Sequence, residues 1–533
     1  MKKILITAIV CSGLMVFSSC NNFLDENPKS SLTLQDYYKT AAQATANVNY
    51  LYRNGAPSQY SNAGSAYVGP FATLPGMLSG YFSNDYEGQE LACKYSRLLT
   101  RQANTMTISE KVDGVWDDCY NAINVANGAI QNIPNISMDA TTKATLMAEA
   151  KFFRAFNYFY LVKVFGPIPL TQTPYTSANQ DMQLSRSAVA DVYALIEADL
   201  KTAVDALPAK SFANNSHRIT KYAAAMLLTS VYMQEGKYSD ATTYAKIVVG
   251  SGVHGLTQNT NTTDQSAYNK LRSTDDLDEV IYAQEFDNSI NSGGWWATYA
   301  FDASATSIFG TYSIFQRVYG PSNRYLNIYT SDDLRVQNEQ FFHWNYTNPN
   351  TGKTWTAPKN QDGSYQYAGC WYYYDADALL STGKASKDWN FFRYAEALLD
   401  AAECIAQTSG VTAEAAGYLA QVQARANTTG KSVADITTEL QSLQKEDFIE
   451  ACWTERLREF PLEFKMWDDC LRTGKFPIIS ETVKGSVTYV DLVGATNAAG
   501  ATIKSSDLLW PVSLNEMQRN KKLTQNDGYA SKE

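Results

Sequence analysis

The sequence predicts an all-α protein, a scaffold of tetratricopeptide-like helical pairs carrying an irregular, aromatic-rich sub-domain with a few short strands. Three observations predict it. Residues 146–170 (LMAEAKFFRAFNYFYLVKVFGPIPL) are apolar nearly all round, with only Arg154, Asn157 and Lys163 interrupting between Phe152 and Phe165, and such a helix must be enclosed by other elements. Helical pairs recur at 115–165, 188–252 and 391–427, as in a right-handed array where each pair buries its face on the next. Finally, Leu228, Tyr232, Gly236, Tyr238, Ala241 and Tyr244 fall where a tetratricopeptide repeat places its packing aromatics, its turn glycine and its small interhelical residue.

Taken in order, the chain opens with Lys2-Lys3, an apolar stretch from 4 to 16 and small Ser18-Ser19, which together read as a secretory signal. Cys20 directly after Ser19 fits a lipoprotein box, with Phe17 where Leu is usual. Residues 1–19 are therefore expected to be removed and Cys20 acylated. Residues 20–31 then form a lipidated tether that Pro28 and the serines keep non-helical. No later run is long and apolar enough to span a bilayer, so the lipid would be the anchor. A first helix is expected over 32–53, with Thr33 as N-cap. Residues 54–92, rich in Gly, Ser, Pro and Tyr, argue for long loops, which inside a folded domain tend to be functional.

Helical periodicity resumes at Val115 and runs through the central helix, which Gly166-Pro167 stops. Another amphipathic helix covers 188–207, closed by Pro208. At 279 the character changes. VIYAQEF alternates like a strand, and residues 292–374 are about one-quarter aromatic against 13% for the whole chain. Gly293-Gly294, the run 348–352 and Asp362-Gly363 divide this region into turns and short hairpins. Helices return at Asn390. The expected organisation is thus a helical region over 32–278, an aromatic insertion over 279–390 and a second helical region over 391–533.

Composition narrows the function. A chain of 533 residues is too long for one hydrophobic core. A net charge of −10 argues against nucleic acid and against anionic membrane surfaces as partners. The 35 Tyr and 10 Trp suit a surface that is wet yet able to stack on something. Once Cys11 is cleaved off and Cys20 acylated, six of the eight cysteines remain. They form no C-x-x-C pair and no Cys/His cluster, so zinc is not expected. Export permits disulfides, but these residues read mostly as small buried hydrophobes. No cofactor is expected, and a structural calcium is left open.

Four motifs, in order, resemble those of the SusD/RagB family of surface glycan-binding lipoproteins, over essentially the whole mature chain. The tether CNNFLDENP resembles the family's C-x-x-F-L-D-x-x-P opening. Residues 148–170 resemble its most recognisable helix. DWNFFRYAEALLDAAE (388–403) resembles R-x-A-E-x-L-L-x-x-A-E, with Arg393, Glu396 and Glu403 in place, and LTQNDGY (523–529) resembles the closing Q-N-x-G-Y. One stretch departs. Where the family reads E-R-x-x-E-L-x-x-E-G-x-R-x-x-D, this chain keeps Glu455, Arg456, Glu459, Glu463 and Asp469 but has Phe464 and Met466 for the Gly and the later Arg. The resemblance implies a non-enzymatic, surface-exposed outer-membrane lipoprotein that delivers an oligosaccharide to a SusC-like TonB-dependent transporter. It also implies that the helical repeats face the transporter, while variable loops around 79–88 and 290–325 form the glycan site.

Independently of the family, a sugar-binding surface needs flat apolar faces for the C–H side of a ring, rimmed by amides, carboxylates and Arg that bond hydroxyls. Two stretches qualify. In SGYFSNDYEG (79–88), Tyr81, Phe82 and Tyr86 alternate with Asn84, Asp85 and Glu87. In NSGGWWATY (291–299), Trp295 and Trp296 follow a Gly pair, with Tyr299 beyond. Adjacent residues of an extended segment point opposite ways, so at most one Trp would stack on ligand while the other anchors the loop. Tyr312 and Arg324 lie in the second of the family's loop regions. Trp344, Trp355, Trp371 and Tyr372 to Tyr374 form a second tier, for which packing of the insertion is the stronger reading. Two other functions stay open. A peptide-binding or scaffold repeat protein would explain the helices but not the aromatic insertion. A glycoside hydrolase would need an acidic pair across a cleft, for which Asp332-Asp333, Asp468-Asp469 and Glu455 to Glu463 supply carboxylates. Affinity for a glycan should be modest, roughly −4 to −8 kcal/mol, because cargo must be released.

Overall fold

The structure, a computed structural model, describes residues 38–55, 71–177, 180–287, 294–300, 302–309, 317–361, 363–366 and 368–531. The expected signal, Cys20 and the tether lie outside these residues. The first helix among the described residues, α1 (Ala41–Asn54), has Thr40 as its N-cap, and the expected cap Thr33 lies outside the described residues. Thr40 Oγ1 accepts from Gln43 N at 3.2 Å while Gln43 Oε1 accepts from Thr40 N at 3.0 Å. Gln43, three residues on from Thr40, completes this reciprocal cap.

Next come α2 (Thr105–Asn132) and the central helix α3 (Ala140–Phe165), followed by α4 (Val189–Ala206), α5 (Lys221–Gln234) and α6 (Tyr238–Val249). After the insertion follow α7 (Tyr394–Ser409), α8 (Ala413–Ala426), α9 (Val433–Gln441), α10 (Lys445–Glu459) and α11 (Met466–Thr473). Each helix from α2 to α9 packs on the next, α6 meeting α7 across the insertion, and α10 packs on α7 and α8. The segment 188–252 therefore holds three helices where one pair was expected. The repeat-like residues act as the pattern requires. Tyr232 stacks on Tyr244 with centroids 5.7 Å apart, Ala241 is buried between helices, and Gly236 turns the chain at φ +71°.

The three polar interruptions of α3 each join it to a neighbour. Arg154 makes a bidentate pair with Asp199 of α4, at 2.7 and 2.9 Å, and donates to Asn127 of α2 at 2.9 Å. Asn157 donates to the Gly55 carbonyl at the end of α1, and Lys163 pairs with Asp468 of α11. The closing motif holds the C-terminal end of the same helix, where Asn526 Nδ2 donates to the Phe165 and Trp510 carbonyls at 3.0 and 2.7 Å. A helix apolar all round is fixed in rotation by such polar contacts, because unsatisfied buried groups penalise every other setting.

Among the described residues the strands are short and form five two-stranded antiparallel ladders. One pairs Val280–Gln284 with Trp389–Arg393, so the aromatic insertion leaves the helical scaffold and returns to it at the same place. Beneath this ladder is a buried ionic network. Arg393 bonds Glu279 at 2.6 Å, Glu459 at 3.0 Å and Glu463 at 2.7 Å, and Arg425 bonds Glu279 at 2.6 Å and Glu459 at 2.5 Å. Arg335 adds Asp333, Glu455 and Glu459. A neighbouring cluster joins Arg456 to Asp400 and Asp469, and Arg472 to Glu403 and Asp469. The charged residues of two sequence motifs are thus one another's partners. Their chemistry is that of a structural lock between α7, α10 and α11.

Candidate functional site

The stretch 79–88 does not present the platform expected of it. Tyr81 is buried, its hydroxyl donating to the Pro477 carbonyl and accepting from Ile479 N, both at 2.9 Å. Phe82 is buried face to face with Tyr319 at 4.4 Å. Asn84 is buried as a turn former, accepting from Tyr86 N at 2.7 Å and donating to Glu90 and Cys93. These three are corrected from ligand contacts to loop supports. The Gly-bounded loop closes on itself, and the ladder Phe82–Ser83 with Gly320–Pro321 turns alternate side chains inward. Asp85 is held by Arg317 in a bidentate pair, both bonds 3.1 Å. Of the three aromatic candidates here, Tyr86 keeps an open ring face, at 37% exposure, with its hydroxyl on Gln89.

The two candidate stretches nevertheless converge. The segment after residue 316 lies between them, since Asp85 N donates to the Arg317 carbonyl and Val318 N donates to the Tyr299 carbonyl, each at 2.9 Å. Tyr312 lies outside the described residues. In the second stretch the Trp pair divides as the sequence indicated, though through a short helix, Trp296–Tyr299, and not an extended segment. Trp295 is 40% exposed, with the Lys384 ammonium 4.9 Å from its ring centroid. Trp296 is buried against Tyr373 at 5.3 Å and Phe464 at 5.1 Å. Tyr299 is buried too, so Trp296 and Tyr299 are corrected to anchors of the loop that carries Trp295.

Against Trp296, the buried neighbour of Trp295, opens a cavity of about 440 Å³. Gly294 and Ala385, bridged by Ala385 N donating to the Gly294 carbonyl at 3.0 Å, form part of its wall. Trp295 and Lys384 are the residues next to them. Trp296, Tyr373 and Trp389 form an aromatic wall with interplanar angles of 19° to 30°. Polar groups converge from Asp375, Asp377, Asp388, Asn390 and Glu463. Burial, and then the charge of Asp275, push the Asp388 carboxyl up to about 7, against the opposing pull of the Phe286 N–H and Lys387. An aromatic wall with a few convergent polar groups at this volume is the make-up of small-ligand sites.

Tyr372 lines this cavity, whereas Trp371 is engaged in packing, stacked on Tyr374 at 4.2 Å and donating to Asn269 at 2.8 Å. Trp344 and Arg324 belong to a separate open groove of about 730 Å³. There Trp344 stacks on Tyr365 at 5.7 Å, and Arg324 pairs with Glu481 at 3.0 Å. Sequence reasoning missed Asp375, Asp377, Asp388 and Asn390. Their signal was carboxylates and an amide directly beside aromatic runs, in WYYYDAD (371–377) and KDWN (387–390).

The carboxylates considered for hydrolysis are mostly occupied. Asp333, Glu455, Glu459, Glu463 and Asp469 are buried in Arg pairs, and Asp468 holds Lys163. Among the described residues no group of three or more His, Cys, Asp or Glu is arranged to hold a metal ion. Cys93, Cys119, Cys370, Cys404, Cys452 and Cys470 are buried free thiols, and burial raises the pKa of each.

Fold and site together define a class, a tetratricopeptide-like helical scaffold with a loop-rich aromatic sub-domain set into it. A family model described as starch-binding associating with outer membrane matches residues 22–233, and the SusD family model matches residues 224–529. The chain belongs to the SusD family. It is 27% identical to SusD-like protein P2 of Formosa agariphila, over 89% of this chain and 91% of that relative. Among solved structures, a SusD superfamily protein from Parabacteroides distasonis superposes with a TM-score of 0.74 at 24% identity, covering 92% of this chain and 99% of that one. Surface glycan-binding protein A from Bacteroides thetaiotaomicron, in complex with laminarihexaose, superposes with a TM-score of 0.68 at 16% identity, covering 92% and 100%. At these identities the structural likenesses establish the fold. Among the described residues no helix is long and apolar enough to cross a membrane.

Proposed function

We propose that this protein is a non-catalytic, lipid-anchored glycan-binding protein of the outer cell surface. It captures a polysaccharide or oligosaccharide and passes it to a SusC-like TonB-dependent transporter. One observation carries the binding reading: a cavity walled by Trp296, Tyr373 and Trp389, with the half-exposed Trp295 carried between its lining residues Gly294 and Trp296 along the chain. A ring face at a cavity edge receives the C–H side of a sugar while side-chain oxygens inside accept from its hydroxyls. Family membership and the laminarihexaose complex of the structural relative support the same class of ligand. The lipid at Cys20 and the transporter partner rest on the motif resemblance.

A second reading has one observation in its favour. Asp388, raised to about 7, retains a proton near neutrality as the general acid of a glycosidase must. Native gels cast with a panel of soluble polysaccharides test the proposal. Retardation by a glycan, lost in Trp295→Ala, supports capture. Release of new reducing ends from that glycan would replace capture with hydrolysis.

A further inference from the structure

We infer that the cavity bounded by residues 294–297, 372–377 and 385–390 reads hydrogen-bond donors, taking a sugar unit that presents hydroxyl or ammonium groups and excluding one that bears a carboxylate or sulfate. This deepens the proposed glycan reading and rests on it. The polar lining is dominated by acceptors. Asn390 Oδ1 and Glu463 Oε2 have no hydrogen-bond partner in the structure, although their residues are only 5% and 6% exposed. Buried acceptors left in that state are costly, and they leave the wall beside the cavity short of donors. Both residues line the cavity and also a narrow space of about 90 Å³.

Charge points the same way. The cations that line the cavity are already engaged. Lys387 pairs with Asp275 at 2.6 Å, and Arg272 lies over the Trp371 ring at 5.0 Å while donating to the Tyr374 carbonyl at 2.9 Å. Asp375, Asp377 and Asp388 have no Lys or Arg within ion-pair distance among the described residues; Asp375 and Asp388 accept from the backbone N–H groups of Ala378 and Phe286. An anionic sugar brought against the aromatic wall would meet the Asp375 and Asp377 carboxylates at reduced dielectric, with neither lining cation free to answer it and Lys384 drawn over the Trp295 ring outside the lining. A hydroxyl or an ammonium group finds acceptors in Asp375 and Asp377 opposite that wall's aromatic rings.

The purified protein is tested with laminarin, dextran and xylan, with oligomers of deacetylated chitosan, with polygalacturonate, and with sulfated laminarin and dextran. Binding of at least one neutral or amine-bearing glycan, at least tenfold tighter than its sulfated counterpart, is expected. Exposed Ser386 lines the cavity, so Ser386→Trp should obstruct it and weaken binding roughly tenfold or more at unchanged Tm. The double variant Asp377→Asn, Asp388→Asn should erode the discrimination against sulfate. Preferential binding of a polyuronate or a sulfated glycan, or full affinity in Ser386→Trp while Trp295→Ala abolishes binding, overturns the inference and leaves glycan capture standing. Failure of the wild-type protein to bind any of the probes overturns both.

Discussion

Phe464 stacks on Trp389 with ring centroids 5.3 Å apart and planes within 15°, from a backbone held at φ +59°. Most non-glycine residues avoid that region. It is the position at which the family's motif has Gly, so the departure noted in the sequence replaced a residue suited to the backbone with one suited to the core. The same ring meets Trp296 at 5.1 Å and Tyr319 at 5.0 Å. It therefore joins the cavity's aromatic wall to the support of the 79–88 loop.

Phe464→Gly separates these effects. Relief of the left-handed backbone is worth about 1 to 2 kcal/mol, while deleting a buried aromatic costs about 3 to 5 kcal/mol. Net destabilisation of about 2 kcal/mol is expected in urea unfolding, with weaker glycan binding because Trp296 loses its backing. A variant as stable as wild type would show that the strain cancels the packing.

Removing one charge from the ionic lock should cost more. Burial works to raise the Glu459 carboxyl, but Arg425, Arg393 and Arg335 outweigh it and hold the group below its ordinary range. Glu459→Gln leaves those guanidinium groups short of a counter-charge, so a loss of about 3 to 5 kcal/mol is expected near neutrality. The sign of the pH dependence follows from the lowered folded-state value. The contribution is present above the unfolded value of about 4.3 and fades as the pH falls through the folded one. Unfolding curves of wild type and variant should therefore converge under acid, and a constant gap would mean that the charge is not the cause.

The scaffold was legible in the sequence for a physical reason. A helix such as α3 announces itself by local composition, and Tyr232, Gly236 and Ala241 sit at spacings set by helix geometry alone. The site was less legible because exposure depends on contacts far along the chain. Tyr81 is buried by residues 476–479, almost 400 positions away, and nothing within 79–88 encodes that. Asp388 and Asn390 belong to a motif that reads as structural, and only the return of the chain at Trp389–Arg393 brings them against residues 372–377. The cluster of Glu455 to Glu463 looked like candidate acids until their Arg partners, from three other segments, were placed beside them.

Asp388 has the opposite sign to Glu459. Its folded-state value is raised, mainly by burial and then by Asp275, with Glu285 adding and Lys387 opposing. Its favourable contribution is complete below the unfolded value and is lost as the pH rises through about 7. Asp388→Asn should accordingly be more stable than wild type at pH 8, by on the order of 3 kcal/mol. The difference should shrink steadily toward pH 5 in parallel thermal melts. A difference that does not change with pH would place the ionisation elsewhere.

Trp295 and Tyr81, equal candidates in the sequence, should behave as opposites. Trp295 lies 40% exposed on the face of the loop that Trp296 anchors, so Trp295→Ala should change stability by no more than about 1 kcal/mol while lowering glycan affinity roughly tenfold or more. Tyr81 has no open face. Its ring is parallel to Phe476 within 9°, and its hydroxyl bridges the Pro477 carbonyl and Ile479 N. Tyr81→Ala should cost about 3 to 5 kcal/mol, and Tyr81→Phe, which keeps the ring and removes both hydrogen bonds, about 1 to 3 kcal/mol. If ligand binding is read on the folded fraction, Tyr81→Phe should retain it. Tyr81→Phe binding that fails at full stability would mean that the hydroxyl reaches ligand after all and that the loop opens in solution; binding that survives both Tyr81→Phe and Trp295→Ala would move the platform to the Trp344–Tyr365 groove.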